Sequence, residues 1–376
     1  MPDKSFSQRL VVLQALPALE VGGVERGTLE IAAALARQGH RSLVVSAGGR
    51  LVRQLLDQGS EHITVPVGKK SLSTLRHVYT LREILAREKI TILHARSRLP
   101  AWVCYLAWRS LCPEQRPHFV TTVHGPYTVN LYSSIMTRGE RVIAISDYMR
   151  NYILDNYPGV DESRIKVIHR GVAPEQFPYG YRPGDAWLAA WRKQHPQLAG
   201  KFIITLPARI TRWKGQEDFI DIMEAMLVSG VPAHGLIAGA PHDRRKRFHQ
   251  HLIATVAGRR LAEHITFLGH RDDLKEVMAI SHIVLSLAQE PEAFGRTALE
   301  ALCLGKPVIA YGHGGTTEIL NAIFPAGLVA PFDKPAVVSK LQQFFKDAPP
   351  VPNYNPFTLD NMLQQTLGLY ESLAWR

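Results

Sequence analysis

The sequence predicts an α/β protein made of two successive parallel-sheet units. Short apolar runs alternate with longer amphipathic stretches from Leu10 to Ile145, and the alternation resumes at Phe202. A Pro-, Gly- and Tyr-rich stretch without period, Val172 to Gly184, separates the two series. Strands alternating with helices of ten or more residues indicate βαβ units, and an aperiodic Pro/Gly segment marks a boundary between them.

The first series has apolar runs at Leu10–Leu16, Ser42–Val45, Ile63–Val67, Thr91–His94, Phe119–Val123 and Val142–Ile145. Helical patterns fall between them at Val24–Gln38, Leu72–Arg87 and Leu99–Leu111. A further strand is expected to end in Val167–Val172, where Gly171 permits a turn. A helix follows the aperiodic stretch at Asp185–His195. The second series has runs at Phe202–Leu206, Gly235–Ala238, Ile265–Leu268, Ile283–Leu287, Val308–Ala310 and Gly327–Val329. Pro349, Pro350, Pro352 and Pro356 then break the chain. A last amphipathic helix is expected from Thr358 to Leu373, with Leu359, Met362, Leu363, Thr366, Leu367, Tyr370 and Leu373 on one face. The division expected is 1–172 for the first unit, 173–200 for the connection, 201–350 for the second unit and 351–376 for the tail.

Composition is that of an ordinary globular chain, 46% hydrophobic and 20% charged. No apolar run approaches the roughly 20 residues of a membrane helix. Met1–Gln8 has a lysine with no apolar segment behind it, so no secretory leader is expected. Cys104, Cys112 and Cys303 match neither a zinc spacing nor a disulfide framework, which implies free thiols in a reducing cytoplasm. The net charge of +11 is uneven. Residues 1–172 hold 23 Lys and Arg against 14 Asp and Glu, or +9; residues 173–376 hold 21 against 19, or +2. The excess includes Lys69, Lys70, Arg76, Arg82, Arg96 and Arg98. It favours an anionic partner such as phosphorylated lipid, a membrane surface or nucleic acid. The same charge also fits a merely soluble basic protein. The Arg244–Arg247 run, with Arg259 and Arg260, reads chiefly as a solvated face.

Four local patterns suggest chemistry. Gly22 and Gly23 follow the first strand and precede a helix, where backbone N–H groups favour phosphate. An ordinary β–α turn would look the same. No Gly-x-Gly-x-x-Gly occurs there, and the second strand ends at Ser46 without an acidic residue for ribose, which argues against a nicotinamide dehydrogenase. Arg209 and Lys214, with Gly215, follow the strand Phe202–Leu206, at the end of a parallel strand where open α/β sheets bind ligands. Arginine suits bidentate capture of phosphate, and lysine suits a point charge, while a solvated basic loop, as at Arg212, would look the same. Glu292 and Glu300 stand eight residues apart around Phe294 and Gly295. Gly295 is expected to open a helix, so the backbone N–H groups of residues 293–296, Arg296 included, could hold a diphosphate, with Glu300 on the helix behind; a surface Glu followed by a helical Glu is the other open reading. Eight helical residues span about 12 Å, which suits the two ends of an extended ligand better than the ~5 Å pair of a retaining glycosidase. His124 and Gly125 follow the strand Phe119–Val123, where a histidine facing a sugar hydroxyl and a structural histidine are both open readings. No Asp-x-Asp triplet and no metal-ligand cluster occur, so no metal is expected.

Together these pieces resemble the family 4 glycosyltransferases of the GT-B fold over nearly the whole chain. The match rests on Gly22-Gly23-Val24-Glu25, His124-Gly125, Ile143–Ser146, Gly171-Val172, Arg209 with Lys214, Glu292 with Glu300, and Gly314–Glu318. The resemblance implies two Rossmann-like domains whose parallel sheets face a central cleft, with the C-terminal helix crossing back to the N-domain. It implies a nucleotide-sugar co-substrate (a UDP-, GDP- or ADP-sugar), no separate cofactor, and retention of anomeric configuration. Arg209 and Lys214 would hold the donor diphosphate, Glu292 the donor sugar and Glu300 the ribose. Gly22 and Gly23 would approach phosphate and acceptor, with His124 beside the donor sugar. The family's Asn-Gly-Val-Asp before the linker reads Arg170-Gly171-Val172-Ala173 here, so that aspartate's role has no carrier. His94–Trp102 is similar to members that build bacterial envelope polysaccharide. The implied partners are an anionic glycan or glycolipid acceptor, such as lipopolysaccharide core, and the inner face of the cytoplasmic membrane. A GT-B nucleotide-sugar epimerase and a basic nucleic-acid-binding protein on a degenerate enzyme fold are the alternatives. The second lacks interleaved aromatic and basic clusters, so no nucleic-acid partner is expected.

Overall fold

The computed structural model describes residues 9–20, 22–241 and 246–375. Met1–Gln8, on which the leader reading rests, and Arg244 and Arg245 lie outside them. The chain forms two compact units, one of residues 1–169 with 359–376 and one of residues 170–358.

In chain order the first unit contains β1 (Val11–Ala15), α1 (Gly23–Arg37), β2 (Arg41–Ser46), α2 (Val52–Asp57), β3 (Glu61–Thr64), α3 (Arg76–Arg87), β4 (Ile92–Ala95), α4 (Arg98–Arg109), β5 (His118–Val123), β6 (Arg141–Ala144), α5 (Asp147–Asn156) and β7 (Ile165–Val167). The second contains α6 (Asp185–Gln194), β8 (Phe202–Pro207), α7 (Gln216–Val228), β9 (Ala233–Ala238), α8 (Lys246–Gly258), β10 (Ile265–Gly269), α9 (Leu274–Ile280), β11 (Ile283–Ser286), α10 (Arg296–Cys303), β12 (Val308–Tyr311), α11 (Gly315–Ile323), β13 (Leu328–Val329) and α12 (Lys334–Lys346). The last helix, α13 (Leu359–Ala374), returns to the first unit.

Both sheets are parallel throughout. The first runs β3-β2-β1-β4-β5-β6-β7 and the second β10-β9-β8-β11-β12-β13. Central strands are covered on both faces, so they read as unbroken apolar runs: all six residues of β8 and all four of β4 are buried. An edge strand breaks that signal. The apolar count puts the third strand at Ile63–Val67, whereas pairing with β2 runs from Leu43 opposite Glu61 to Ser46 opposite Thr64. Exposed Glu61 hides the strand's start, and its end is set by where β2 stops. The helix expected from Leu72 also differs: Leu72–Leu75 is a 3₁₀ turn, with the Ser73 N–H donating to Ser71 Oγ, before α3 begins at Arg76.

Helix α13 covers one face of the first sheet. Met362, Leu363, Leu367, Tyr370 and Leu373 form one core with Leu10, Val12, Ile31, Leu35, Ile92, Val120 and Ile143. Tyr370 is fully buried, and its hydroxyl lies 2.6 Å from Nδ1 of His94; Nε2 of His94 lies 2.7 Å from Oγ1 of Thr122. A residue almost at the end of the chain thus anchors β4 and β5 from above. Truncation of Tyr370 to Ala should cost about 3–5 kcal/mol through lost burial and a cavity. Tyr370→Phe should cost only about 1–2 kcal/mol, from the hydroxyl partner left buried. Equilibrium urea unfolding of the two variants measures the difference.

Candidate active site

In each sheet the strand order reverses once, between β8 and β11 in the second unit and between β1 and β4 in the first. At such a reversal the following loops diverge and leave a crevice at the carboxyl ends of the strands. The candidate residues lie at these two places, with one strand of displacement for His124.

In the second unit the loop after β8 carries Arg209, then a 3₁₀ turn at Arg212–Lys214, and α7 starts from Gly215. Gly215 has φ +76°, and a Cβ there would sit 2.0 Å from the Leu287 carbonyl oxygen. Only glycine allows both the left-handed backbone and the close approach to the end of β11. That approach brings the Lys214 ammonium into an ion pair with Glu292, both side chains mostly buried. Lys214 also lies 4.3 Å from the centre of the Trp213 ring, and the Trp213 carbonyl accepts the Gln289 N–H at 2.7 Å. Arg209 is exposed, and its carbonyl is held by the Gln216 side chain at 3.0 Å. Arg212 stacks 5.3 Å from the centre of the Phe248 ring, on a different neighbour.

The loop after β11 ends at Gly295, whose φ of +94° starts α10 without a side-chain cap. A Cβ there would come 2.4 Å from Oγ1 of Thr316. The Glu292 carbonyl accepts the Gly315 N–H at 2.7 Å, so the turn before α11 backs the Glu292 loop. Phe294 is buried edge-on to Phe357, with ring centres 5.8 Å apart. Nε of Arg296 donates to Glu300 at 3.2 Å across one helical turn, and Glu300 is 7% exposed. The start of α10, which Gly295 gives no side-chain cap, therefore stands beside two acid–base pairs. This arrangement suits an anion with polar groups at both ends.

In the first unit Gly22 has an extended backbone, φ 167°, and α1 begins at Gly23. A Cβ on Gly23 would meet nothing within 4 Å, and on Gly22 only the Glu25 side chain. Nothing inside the chain requires glycine at 23, and the space above it is open. His124 is half-buried just beyond β5. The structure brings together Lys214 with Glu292 and Arg296 with Glu300; Gly22, Gly23 and His124 belong to the other unit.

One sequence expectation is overturned here. Arg96, counted with the basic surface, is 1% exposed. It follows β4 two residues after His94, so strand alternation points it to the same covered face. Its Nη1 donates to Gln14 Oε1 at 3.0 Å, and burial brings the guanidinium down to about 10. The sequence signal was available in the two-residue spacing from His94 on an apolar strand. Arg98 is likewise occupied, stacked on Tyr127 and Tyr132 and bonded to Ser133 at 3.1 Å. The solvated-face reading of Arg259 is also incomplete, since it bridges Asp221 at 2.6 Å and Glu224 at 2.9 Å on α7.

Comparison with known proteins agrees with this architecture. Residues 21–176 match the family model Glycosyltransferase Family 4, and residues 189–355 match Glycosyl transferases group 1. A glycosyltransferase from Rickettsia africae is 30% identical, with 98% of this chain and 100% of that one superposed at a TM-score of 0.86. The chain belongs to the family 4 glycosyltransferases. It has the same fold as Anabaena Alr3699/HepE, solved with UDP and glucose, at 21% identity, covering 97% of this chain and 100% of that one with a TM-score of 0.79. It is 29% identical over 217 residues to the lipopolysaccharide core mannosyltransferase LpsB of Rhizobium meliloti; that match spans 57% of this chain and 58% of LpsB.

For this glycosyltransferase the two kinds of glycine separate experimentally. Gly215→Ala should lose at least about 2 kcal/mol of stability, from the left-handed backbone and the clash with Leu287. Gly23→Ala should stay within about 0.5 kcal/mol of the parent. Thermal and urea unfolding of the purified variants decide between them.

Proposed function

We propose that this family 4 glycosyltransferase moves a sugar, with retention of configuration, from a nucleotide-sugar donor to an anionic envelope glycan or lipid-linked acceptor of the lipopolysaccharide-core type. In this reading the second unit holds the donor and the first meets the acceptor. The observation that carries it is the Lys214–Glu292 pair at the strand-order reversal, beside the glycine-led start of α10. A diphosphate there takes N–H bonds from residues 293–296 and draws Lys214 and Arg209 onto its oxygens. Charge builds on those oxygens as the sugar leaves, and fixed cations stabilise that developing charge more than the ground state. Glu292, released from Lys214, is then free to accept hydrogen bonds from the donor sugar. Glu300, steadied by Arg296, takes the ribose hydroxyls. The chain's own cations supply the electrostatic work, so no metal is assigned. Gly22 and Gly23 are assigned to phosphate and acceptor in the first unit, and His124 to the donor sugar.

HepE, whose structure holds UDP and glucose, and LpsB, a core mannosyltransferase, support the donor and acceptor classes. An anionic inner-membrane surface is proposed from the first unit. Lys69, Lys70, Arg76 and Arg82 are exposed around α3, and Leu75 and Tyr79, four residues apart, are 58% and 73% exposed among them. The proposed attachment is peripheral, through these cations and the two apolar side chains; no helix among the described residues is long and apolar enough to cross a membrane.

Donor chemistry is tested by a thermal-shift panel of UDP, GDP and ADP and their sugars, followed by kinetics of the variants. A matching ligand at 100 times its Kd stabilises by about 2.7 kcal/mol. Arg209→Ala and Lys214→Ala should each lower kcat by at least about tenfold, and Arg212→Ala by much less, given about 1.5–3 kcal/mol for a charge-assisted bond. Glu300→Gln should chiefly raise KM, because ribose contacts are alike in ground and transition states, whereas Glu292→Gln should lower kcat. Equal, mild losses at all five positions would remove the assignment.

The membrane reading is tested with vesicles. Each basic residue near an anionic surface contributes roughly 1 kcal/mol, fading over about 8 Å at physiological salt. Sedimentation with anionic vesicles should therefore exceed that with neutral ones and fall with salt. Joint Lys69→Ala and Lys70→Ala replacement should weaken it without changing nucleotide affinity. Indifference to lipid charge and salt would leave the basic excess as a solubility feature.

A further inference from the structure

A second built pocket lies in the first unit, away from every residue assigned above. It has a volume of about 800 Å³ and opens between the C-terminal half of α4, the start of β5 and the segment after α5. These parts sit at the amino edge of the parallel sheet, opposite the carboxyl ends that carry Gly22, Gly23 and His124. Its wall is aromatic. Tyr105 and Trp108 stack with ring centres 5.9 Å apart, and both lie 6.0 Å from Phe119, which is 1% exposed. Its lip is apolar and projects outward, with Val129 49% and Leu131 85% exposed.

The lip is held in place. Trp102 Nε1 donates to the Tyr132 carbonyl at 2.9 Å, the Ser133 N–H donates to Asn130 Oδ1 at 2.9 Å, and Arg98 donates to Ser133 Oγ. A leucine kept at that exposure on a fastened loop has no cover within its own unit, and burying it elsewhere would remove apolar area from water. The rim is cationic. Arg138 is exposed, its Nη1 donating to the Tyr105 hydroxyl at 3.4 Å and its guanidinium 5.6 Å from the centre of the Tyr105 ring. Arg164 lines the same mouth, anchored on the Gly139 carbonyl. The one carboxylate among the lining residues, Glu140, is already taken up by His118 at 2.8 Å and the Phe119 N–H at 3.2 Å.

An aromatic wall, a projecting apolar lip and an arginine at the mouth fit a ligand with an apolar chain and an anionic oxygen head. Arginine presents paired N–H groups to phosphate oxygens. A free sugar would leave the lip uncovered, and a bare phosphate would leave the wall unused. We propose that this pocket binds one membrane phospholipid with an anionic headgroup, its acyl chain against Tyr105, Trp108 and Leu131 and its phosphate on Arg138. The site is separate from the Lys69 and Lys70 surface, which follows β3 at the opposite edge of the sheet. It holds a single lipid by shape as well as charge. It also requires nothing of the transfer reaction, so donor binding and kinetics can fail or succeed independently.

The test uses the full chain and soluble probes by isothermal titration calorimetry: dihexanoyl phosphatidylglycerol below its aggregation concentration, dihexanoyl phosphatidylcholine, and glycerol phosphate. The first should bind one to one. Phosphatidylcholine, without net charge, should bind about tenfold more weakly, and glycerol phosphate, without a chain, weaker still. Leu131→Asp and Arg138→Ala, both at exposed positions, should each weaken phosphatidylglycerol binding by at least about tenfold, while joint replacement of Lys69 and Lys70 by Ala leaves it unchanged. Glycerol phosphate binding as tightly as the lipid, equal binding of the charged and neutral lipids, or undiminished affinity in either pocket variant would overturn the proposal.

Discussion

The reversal of strand order at the middle of each parallel sheet is the constraint on which everything else rests. Parallel strands must be joined by right-handed crossovers, so every strand ends at the same edge and every following loop emerges there. Where the order reverses, between β8 and β11 and between β1 and β4, the loops turn away from each other and leave a gap. Helices α7 and α10 then point their N-termini to that edge, as α1 does in the first unit. The crevice is a consequence of winding direction, and the side chains only furnish it.

How it is furnished follows from two glycines. Gly215 and Gly295 each take a left-handed backbone and each lets one loop press on another at a distance no Cβ permits. The contact at Leu287 sets Lys214 against Glu292, and the contact at Thr316 sets the start of α10. Without ligand the ammonium and the carboxylate neutralise each other, which spares both an uncompensated burial. In the proposed reaction a diphosphate that takes the lysine would free the carboxylate in the same event.

The first unit shows how buried polarity and surface charge divide the work. Gln14, His94 and Arg96 point to one covered face, tied to Thr28, Thr122 and Tyr370 by hydrogen bonds. They fasten α1 and α13 to the strands and offer nothing to a partner. Exposed cations sit elsewhere, among them Lys69, Lys70, Arg76 and Arg82 around α3 and Arg138 at the mouth of the aromatic pocket.

Much of the fold could be read from the sequence, because strands buried on both faces are unbroken apolar runs and helices between them keep a 3.6-residue period. β8, β4 and the face of α13 are legible in that way. The loops after the strands were legible too, since Gly, Arg, Lys and Glu at those points have few local reasons to occur together. Edge strand β3 begins two residues before its apolar run, because solvent on one side breaks the apolar signal and its register belongs to β2. The pairing of Lys214 with Glu292, 78 residues apart, is invisible to spacing, because it depends on β8 and β11 becoming neighbours in the sheet. The burial of Arg96 and the aromatic pocket around Tyr105 are decided the same way. Charge and apolar character are properties of single residues and can be counted along the chain; which face covers them is a property of elements brought together from distant parts of it.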